Sequence, residues 1–272
     1  MQVWTGQEGQ DRFARDAFNR YRTLTASAGT VSKEARAAAA TLPSTGHPDF
    51  EHLGLGESGY CYGVTAFIDL VSFTARTFWE SPESVLRLNT AVMTQIALAV
   101  QDFGGYVLGF RGDGVFACFG DPRVQDHRIS AGVAMTACAF ALDATRNALN
   151  SLLKASGMRP VQVRAGADFG RLDFVRIGSE LASEVNVVGF SANFAAKCEK
   201  YAKSWEVVVG EELGGLLPDN DLWRHEKSPK RYTRDDETKS YDFYQVKWGS
   251  YIQHIPGIRE ALAGRPVSAI RY

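Results

Sequence analysis

Apolar residues along the chain follow two different spacings. Short runs rich in β-branched and aromatic residues, YCYGVTAFIDL at 60–70, YVLGF at 106–110, VFACFG at 115–120, WEVVVG at 205–210 and YDFYQV at 241–246, predict buried strands, the last closing the sheet. The stretch at 81–105 instead repeats apolar residues every three or four positions, with Val85, Leu88, Val92, Met93, Ile96 and Val100 on one face. Ser81 at its N-cap and Pro82 at its first turn mark where that helix starts. A second long helix follows Asp126, carries Met135, Cys138, Leu142, Leu149 and Leu152, and is stopped by Gly157 and Pro160. A third covers 190–203. RGDG at 111–114 predicts a hairpin turn with Asp113 at its tip, and VQVRAGADFG with RLDFVRIG predicts the next hairpin. Strands and helices in this alternation give mixed α and β layers.

The first fifty residues read differently. A helix is expected near Asp11 to Leu24, then an alanine-rich segment from Ser32 to Leu42 that ends at Pro43. PSTGHPDFEHLGLGESG is a connecting loop, so we divide the chain into a helical arm and linker at 1–57, a main domain at 58–250 and a tail at 251–272. No internal repeat is evident.

Composition changes this picture little. The 272 residues are 45% hydrophobic and 22% charged, which suits a globular fold without disulfide staples. With 30 Lys plus Arg against 31 Asp plus Glu, the net charge of -1 gives no polyanion surface, so no nucleic-acid partner is expected and phosphate binding must be local. Cys61, Cys118, Cys138 and Cys198 form no CxxC pair and read as reduced core thiols. The start is polar where a signal peptide is apolar, and no run reaches about 18 apolar residues, which points to the cytoplasm and away from a membrane.

Candidate chemistry begins with two aspartates. Asp69 ends an apolar strand, and Asp113 follows 44 residues later at the hairpin tip. On neighbouring strands, these carboxylates meet at one edge as a hard oxygen site for Mg²⁺ or Mn²⁺. Two such ions about 3.5–4 Å apart activate a hydroxyl and stabilise a leaving phosphate oxygen. The segment Asp69 to Thr74 turns into a helix whose free N–H groups suit a triphosphate tail. Taken singly, each aspartate has an ordinary alternative role as a cap or turn residue.

FIDLVSFT, GFRGDGVFACFG and NVVGFSANFAAKCEK, in this order, resemble the catalytic domain of class III adenylate and guanylate cyclases over Tyr60 to Val246. The resemblance implies an α+β, ferredoxin-like βαββαβ domain, here with an N-terminal helical extension, that converts a nucleoside triphosphate to a 3′,5′-cyclic monophosphate and pyrophosphate. It implies that Asp69, Asp113 and the Leu70 carbonyl hold two Mn²⁺ or Mg²⁺ ions, that Phe73 and Thr74 occupy the phosphate loop, and that Asn193 stabilises the transition state. Lys197 stands where the family usually has an arginine, which keeps the cation but loses the planar fork. Asn193 and Lys197, four apart, share one helix face. In the family the aspartates and the Asn–cation pair come from opposite subunits, so a homodimer with its sites at the interface is implied.

The residues that resemble base-selecting positions depart from both purine patterns. Gly109 replaces the expected Lys or Glu, and Asn186 the expected Asp. Strand alternation puts Gly109, Arg111 and Asp113 on one face, so Arg111 either fills the space left by a larger base or donates to a pyrimidine carbonyl. Asn186 matches uracil in one amide orientation and cytosine in the other. These departures resemble the pyrimidine cyclases of bacterial Pycsar anti-phage systems, which implies UTP or CTP as substrate, cyclic UMP as the leading product, and a separate effector that reads it.

Other readings stay open: an adenylate cyclase with an unusual base pocket, or a degenerate module that senses nucleotide and dimerises. The retained acidic pair speaks against degeneration, since unpaired neighbouring carboxylates repel. RGDGVF also resembles the hairpin tip of polymerase-like or cyclic-dinucleotide synthase domains but lacks their acidic pair after the glycines. The run KSPKRYTR, with Lys227, Lys230, Arg231 and Arg234, reads as a solvated loop, and Lys239 is the candidate for a late phosphate lysine. His127 is assigned no catalytic role and Asp126 is expected to cap its helix. The arm is equally suited to strengthening a dimer, covering the site or receiving a signal.

Overall fold

A computed structural model describes residues 6–23 and 45–270. The first helix, α1 (Gly6–Thr23), begins five residues earlier than the pattern suggests, and the alanine-rich segment lies outside the described residues. Strand β1 (Ser58–Leu70) leads through a short helix, α2 (Phe73–Trp79), into the long helix α3 (Pro82–Asp102). The Ser81 side chain accepts from the Ser84 N–H at 3.3 Å, and every apolar position expected on the α3 inner face is buried. The hairpin β2 (Tyr106–Arg111) and β3 (Gly114–Phe119) follows. Asp126 then caps α4 (His127–Asp143), its Oδ1 accepting from the Arg128 N–H at 2.9 Å. A π-helical segment, Ala144–Leu149, interrupts the second long helix before α5 (Asn150–Ala155).

Next comes β4 (Val163–Ser179), a single strand of 17 residues where the sequence predicts two strands and a turn. Gly170 stays extended opposite Gly63 of β1 because the Ser191 side chain stands over it, 3.0 Å from where a Cβ would be. That glycine makes room for packing rather than for a turn. The chain turns ten residues later, where Gly178 has φ +124° and Ser179 pairs with Ala182 at the head of β5 (Ala182–Val188). Helix α6 (Phe190–Tyr201), β6 (Val207–Gly210), the single turn α7 (Glu211–Gly214) and β7 (Leu222–Arg224) complete this part.

The basic run expected as a solvated loop instead builds β8 (Lys230–Arg234), paired with β9 (Glu237–Tyr241) in a separate two-stranded sheet. Tyr232 and Tyr241 pack on the cluster that contains Phe194 and Phe243, while Arg231 and Arg234 stay exposed. The main sheet runs β2-β3-β1-β4-β6-β10-β7, with β5 on the far end of β4. Strand β10 (Phe243–Val246) is thus last in the chain but not at the edge, because β7 pairs with its outer side. The residues expected as a tail form a further helix, α8 (Ile255–Leu262), whose Ile255 and Leu262 join the main core. Helix α1 adds Phe13, Ala14 and Ala17 to that core, so neither assigned boundary is a break in packing.

The sheet has two differently used faces. Val64, Ala66, Ile68 and Leu70 of β1 belong to the core with α3 and α4 residues such as Val92, Ile96, Met135 and Leu142. The alternate residues of β1, including Phe67 and Asp69, face the other way. There the linker is pinned at one end: Phe50 stacks on Phe174 at 4.2 Å, and His47 Nε2 lies 2.9 Å from the Gly120 carbonyl oxygen. Helix α6 covers the middle of this face, with Ala195 and Cys198 buried.

That helix rests on β4 backbone to backbone. A Cβ at Gly166 would lie 1.9 Å from the Glu199 amide nitrogen and 2.5 Å from the Ala195 oxygen. We expect Gly166→Ala to cost on the order of 3 kcal/mol through overpacking, whereas Gly132→Ala, which meets nothing within 4 Å, should be neutral or slightly stabilising. Urea denaturation midpoints check this; equal midpoints for the two variants would contradict the close approach.

Candidate functional site

Sheet register brings the two aspartates together. Asp69 pairs with Gly114 of β3, and the Leu70 N–H donates to the Asp113 carbonyl at 3.1 Å, so the two residues sit side by side at the end of their strands. Asp69 Oδ1 lies 3.0 Å from the place a Cβ of residue 114 would take, so only glycine leaves that oxygen its room. Leu70 is buried, its side chain in the core, leaving its backbone as the chemically useful part. Among the described residues no cluster of three His, Cys, Asp or Glu side chains is shaped for a metal. Two carboxylates side by side are hard oxygen donors of the kind that suits Mg²⁺ or Mn²⁺.

The surroundings of Asp69 add two residues that the sequence did not reveal. Arg164, directly across from Asp69 on β4, donates to Asp69 Oδ2 from Nε at 3.3 Å and Nη2 at 3.1 Å, and to the Ala202 carbonyl at 3.3 Å. Glu199 of α6 forms an ion pair with the same guanidinium. Burial first, then the Asp113 charge, raises the Asp69 carboxyl pKa against the opposing pull of Arg164. Burial and the Asp69 charge likewise lift Glu199 to about 7. One arginine therefore serves two buried carboxylates with a third nearby. The raised carboxyl pKa values reflect burial and mutual repulsion, which a bound cation would relieve.

Beyond Leu70 the chain turns through Ser72, whose φ of 59° is left-handed and whose side chain does not cap α2. Phe73 is buried and anchors the turn, while Thr74 is exposed. A cleft of about 260 Å³ opens beside it between Ser72, Arg76, Arg159 and Gln162.

Asn193 and Lys197 lie on one side of α6. Asn193 is exposed, and Lys197 is half-buried with its ammonium donating to the Tyr232 hydroxyl at 3.0 Å. Glu199 is two residues on, about 200° around the helix, so the side that touches Asp69 is opposite the side that carries Lys197. Within one protomer the lysine is turned away from its own aspartates.

Gly109 and Arg111 share a face as expected: a Cβ at 109 would lie 3.7 Å from the Arg111 guanidinium, which thus occupies the space above the glycine. Asn186 is on β5, and its Oδ1 accepts from the Val187 N–H at 2.8 Å, leaving the amide NH₂ as its free end. Three strands separate β2 from β5 in the sheet order. Lys239 is exposed and lies 3.7 Å from Glu237. His127 packs against Phe169 at 4.9 Å and Tyr62 at 5.6 Å. All four cysteines are buried and unpaired, and no helix among the described residues is long and apolar enough to cross a membrane.

The β8–β9 hairpin that carries Tyr232 is fastened to the main sheet. The Tyr241 hydroxyl donates to Asp168 Oδ2 at 2.8 Å, while Asp168 Oδ1 accepts from the Phe169 N–H at 2.9 Å. Tyr241 also packs edge-on against Phe194 at 4.5 Å.

Comparison with known proteins follows the same stretch of chain. The model of the adenylate and guanylate cyclase catalytic domain matches residues 62–239. Adenylate cyclase 1 of Rhizobium meliloti (strain 1021) is 28% identical over 159 residues, covering 58% of this chain and 23% of that protein. The cytidylate cyclase of Staphylococcus aureus is 23% identical over 215 residues, covering 77% of this chain and 49% of that one. The chain thus spans about a quarter to a half of the length of these relatives. The crystal structure of the adenylyl cyclase CyaB from P. aeruginosa shares the fold, with a TM-score of 0.61 at 20% identity over 70% of this chain and 95% of that one.

The hairpin anchor has a pH signature. Burial raises the Asp168 carboxyl to about 7. A folded-state pKa above the unfolded value means that protonation stabilises the fold, an effect complete below about pH 4 and lost as pH rises through about 7. The melting-temperature advantage of the wild type over Asp168→Asn should therefore shrink between pH 5 and pH 8. A constant difference across that range would contradict the buried carboxyl.

Proposed function

The chain belongs to the adenylate and guanylate cyclase catalytic domain family, and from that premise we propose that it converts a pyrimidine nucleoside triphosphate, UTP or CTP, to the 3′,5′-cyclic monophosphate and pyrophosphate. The observation that carries this reading is the Leu70–Asp113 hydrogen bond, which sets Asp69 and Asp113 side by side at the end of their strands, where the chain turns through Ser72 into α2.

Asp69, Asp113 and the Leu70 carbonyl would hold Mg²⁺ or Mn²⁺, two ions per site, which when bound would ease loss of the ribose 3′-hydroxyl proton to water and offset charge on the leaving pyrophosphate. The exposed Thr74 and the turn anchored by Phe73 receive the triphosphate tail. As the 3′-oxygen bonds to the α-phosphorus and the bond to the β-phosphate oxygen breaks, negative charge spreads over the phosphoryl oxygens. Lys197 supplies a fixed positive charge there and Asn193 an N–H donor. Both come from the partner protomer, because α6 presents Glu199, not Lys197, to its own Asp69. A two-fold homodimer with two equivalent sites answers that geometry.

Base choice falls to Arg111 and Asn186. The guanidinium above Gly109 fills volume and offers donors, and the free amide NH₂ of Asn186 is a donor as well. Carbonyl oxygens of uracil, or O2 and N3 of cytosine, accept from such groups. The similarity to a Staphylococcus aureus cytidylate cyclase supports a pyrimidine. We take the product, with cyclic UMP as the first candidate, to be a messenger in anti-phage defence that a separate effector reads.

Purified protein with each of the four ribonucleoside triphosphates and Mn²⁺ should release a cyclic pyrimidine nucleotide; a dominant cyclic AMP product would replace this reading with an adenylate cyclase of unusual pocket. Arg111→Ala should raise KM for the preferred triphosphate about tenfold, the worth of a charge-assisted hydrogen bond, as initial-rate kinetics will show. Asp69→Ala should be inactive and Lys197→Ala should keep only a trace of kcat, yet an equal mixture should recover about a quarter of wild-type turnover by forming heterodimers with one intact site. A mixture as inactive as its parts would rule out shared sites.

A further inference from the structure

Lysine at position 197 leaves a mechanical problem. Its ammonium sits at the end of four rotatable bonds, whereas an arginine fork is rigid and binds with two parallel donors. A cation meant to meet charge as it develops has to be held in place beforehand.

The hairpin contains a group suited to that task. The Tyr232 hydroxyl accepts from Lys197 Nζ at 3.0 Å, and the same ammonium lies 5.0 Å from the centre of the Tyr232 ring. The acceptor is neutral, and its chemistry matters. A carboxylate in this place would cancel the charge of the lysine, while a phenol directs the ammonium and leaves its charge and two of its three N–H donors available. The ring face adds a weaker pull in the same direction.

Tyr232 is itself well fixed. It pairs with Lys239 across the hairpin and meets Phe190, the first residue of α6, edge-on at 5.9 Å. The other strand of the hairpin is tied down by Tyr241 on Asp168. Phe190 precedes Asn193 by less than one turn, so Tyr232, Asn193 and Lys197 flank one stretch of helix surface.

We propose that Tyr232 is a positioning residue for this reaction: its hydroxyl holds the Lys197 ammonium where the phosphoryl oxygens of the partner's substrate arrive. The inference rests on the cyclase reading above. It assigns the basic β8–β9 hairpin a part in catalysis through its aromatic side rather than through its exposed lysines and arginines.

Tyr232→Phe keeps the ring and removes only the acceptor. In the full-length dimer it should lower kcat about tenfold, the usual loss for one hydrogen bond to a charged group, with KM for the triphosphate and the melting temperature close to wild type. In a Lys197→Ala background, followed by a sensitive radiolabelled product assay, the same change should cost less than about twofold, because its partner is already gone. An equal loss in both backgrounds would make Tyr232 a packing residue and overturn the proposal. So would wild-type kcat in Tyr232→Phe alongside a crippled Lys197→Ala, an outcome that leaves the cyclase reading standing. Unchanged kcat in Lys197→Ala would instead remove the lysine from the reaction and Tyr232 with it.

Discussion

Helix α6 meets β4 backbone against backbone at Gly166, and the residues described above are arranged around that contact. At Gly166 the two backbones are too close for a single methyl group. This fixes the rotation of the helix about its own axis as well as its distance from the sheet. With the rotation fixed, Glu199 faces Arg164 and Asp69, Lys197 faces Tyr232, and Phe194 faces the tyrosine of the hairpin anchor. A helix spaced off by larger side chains would be free to roll, and the same residues would not keep these assignments.

The inner side of α6 and its outer side then do opposite electrostatic work. Inside, one guanidinium serves Asp69 and Glu199, and burial together with their mutual repulsion raises both carboxyl pKa values. Outside, a lone ammonium is held by a neutral partner, keeping its charge in reserve for an anion. Neither side completes the other within a protomer. The division of labour across one helix is what makes a second copy of the chain a chemical requirement of the proposed reaction and not only a structural convenience.

How much of this could be read from the sequence depended on how local each signal was. Helix α3 was legible to the residue because Ser81, Pro82 and a regular apolar stripe are all near neighbours. The RGDG turn gave the β2–β3 hairpin and with it the meeting of Asp69 and Asp113. Glycine was ambiguous: Gly170 looked like a turn but serves Ser191, a contact made across 21 residues that no local pattern records. Arg164, Glu199 and Tyr232 were missed for the same reason, since each acquires its role from sheet register or from a hairpin folded back on α6. The basic run at 227–234 was misjudged because its charges dominate its composition, while the residue that packs on the apolar cluster is the half-buried tyrosine between them. Alternating Tyr232 and Tyr241 against polar neighbours was the available hint.

One consequence follows from the unbroken length of β4. Arg164 stands near its start and Gly178 near its end, and 14 residues of extended chain span about 46 Å at 3.3 Å each. Along much of that distance the strand is laced to β1, and beyond it to β5. The tip beyond it carries Leu181, 98% exposed. That tip and the guanidinium beside Asp69 thus stand on one continuous strand, the acidic centre where it is flanked by β1 and the tip where it pairs with β5 alone.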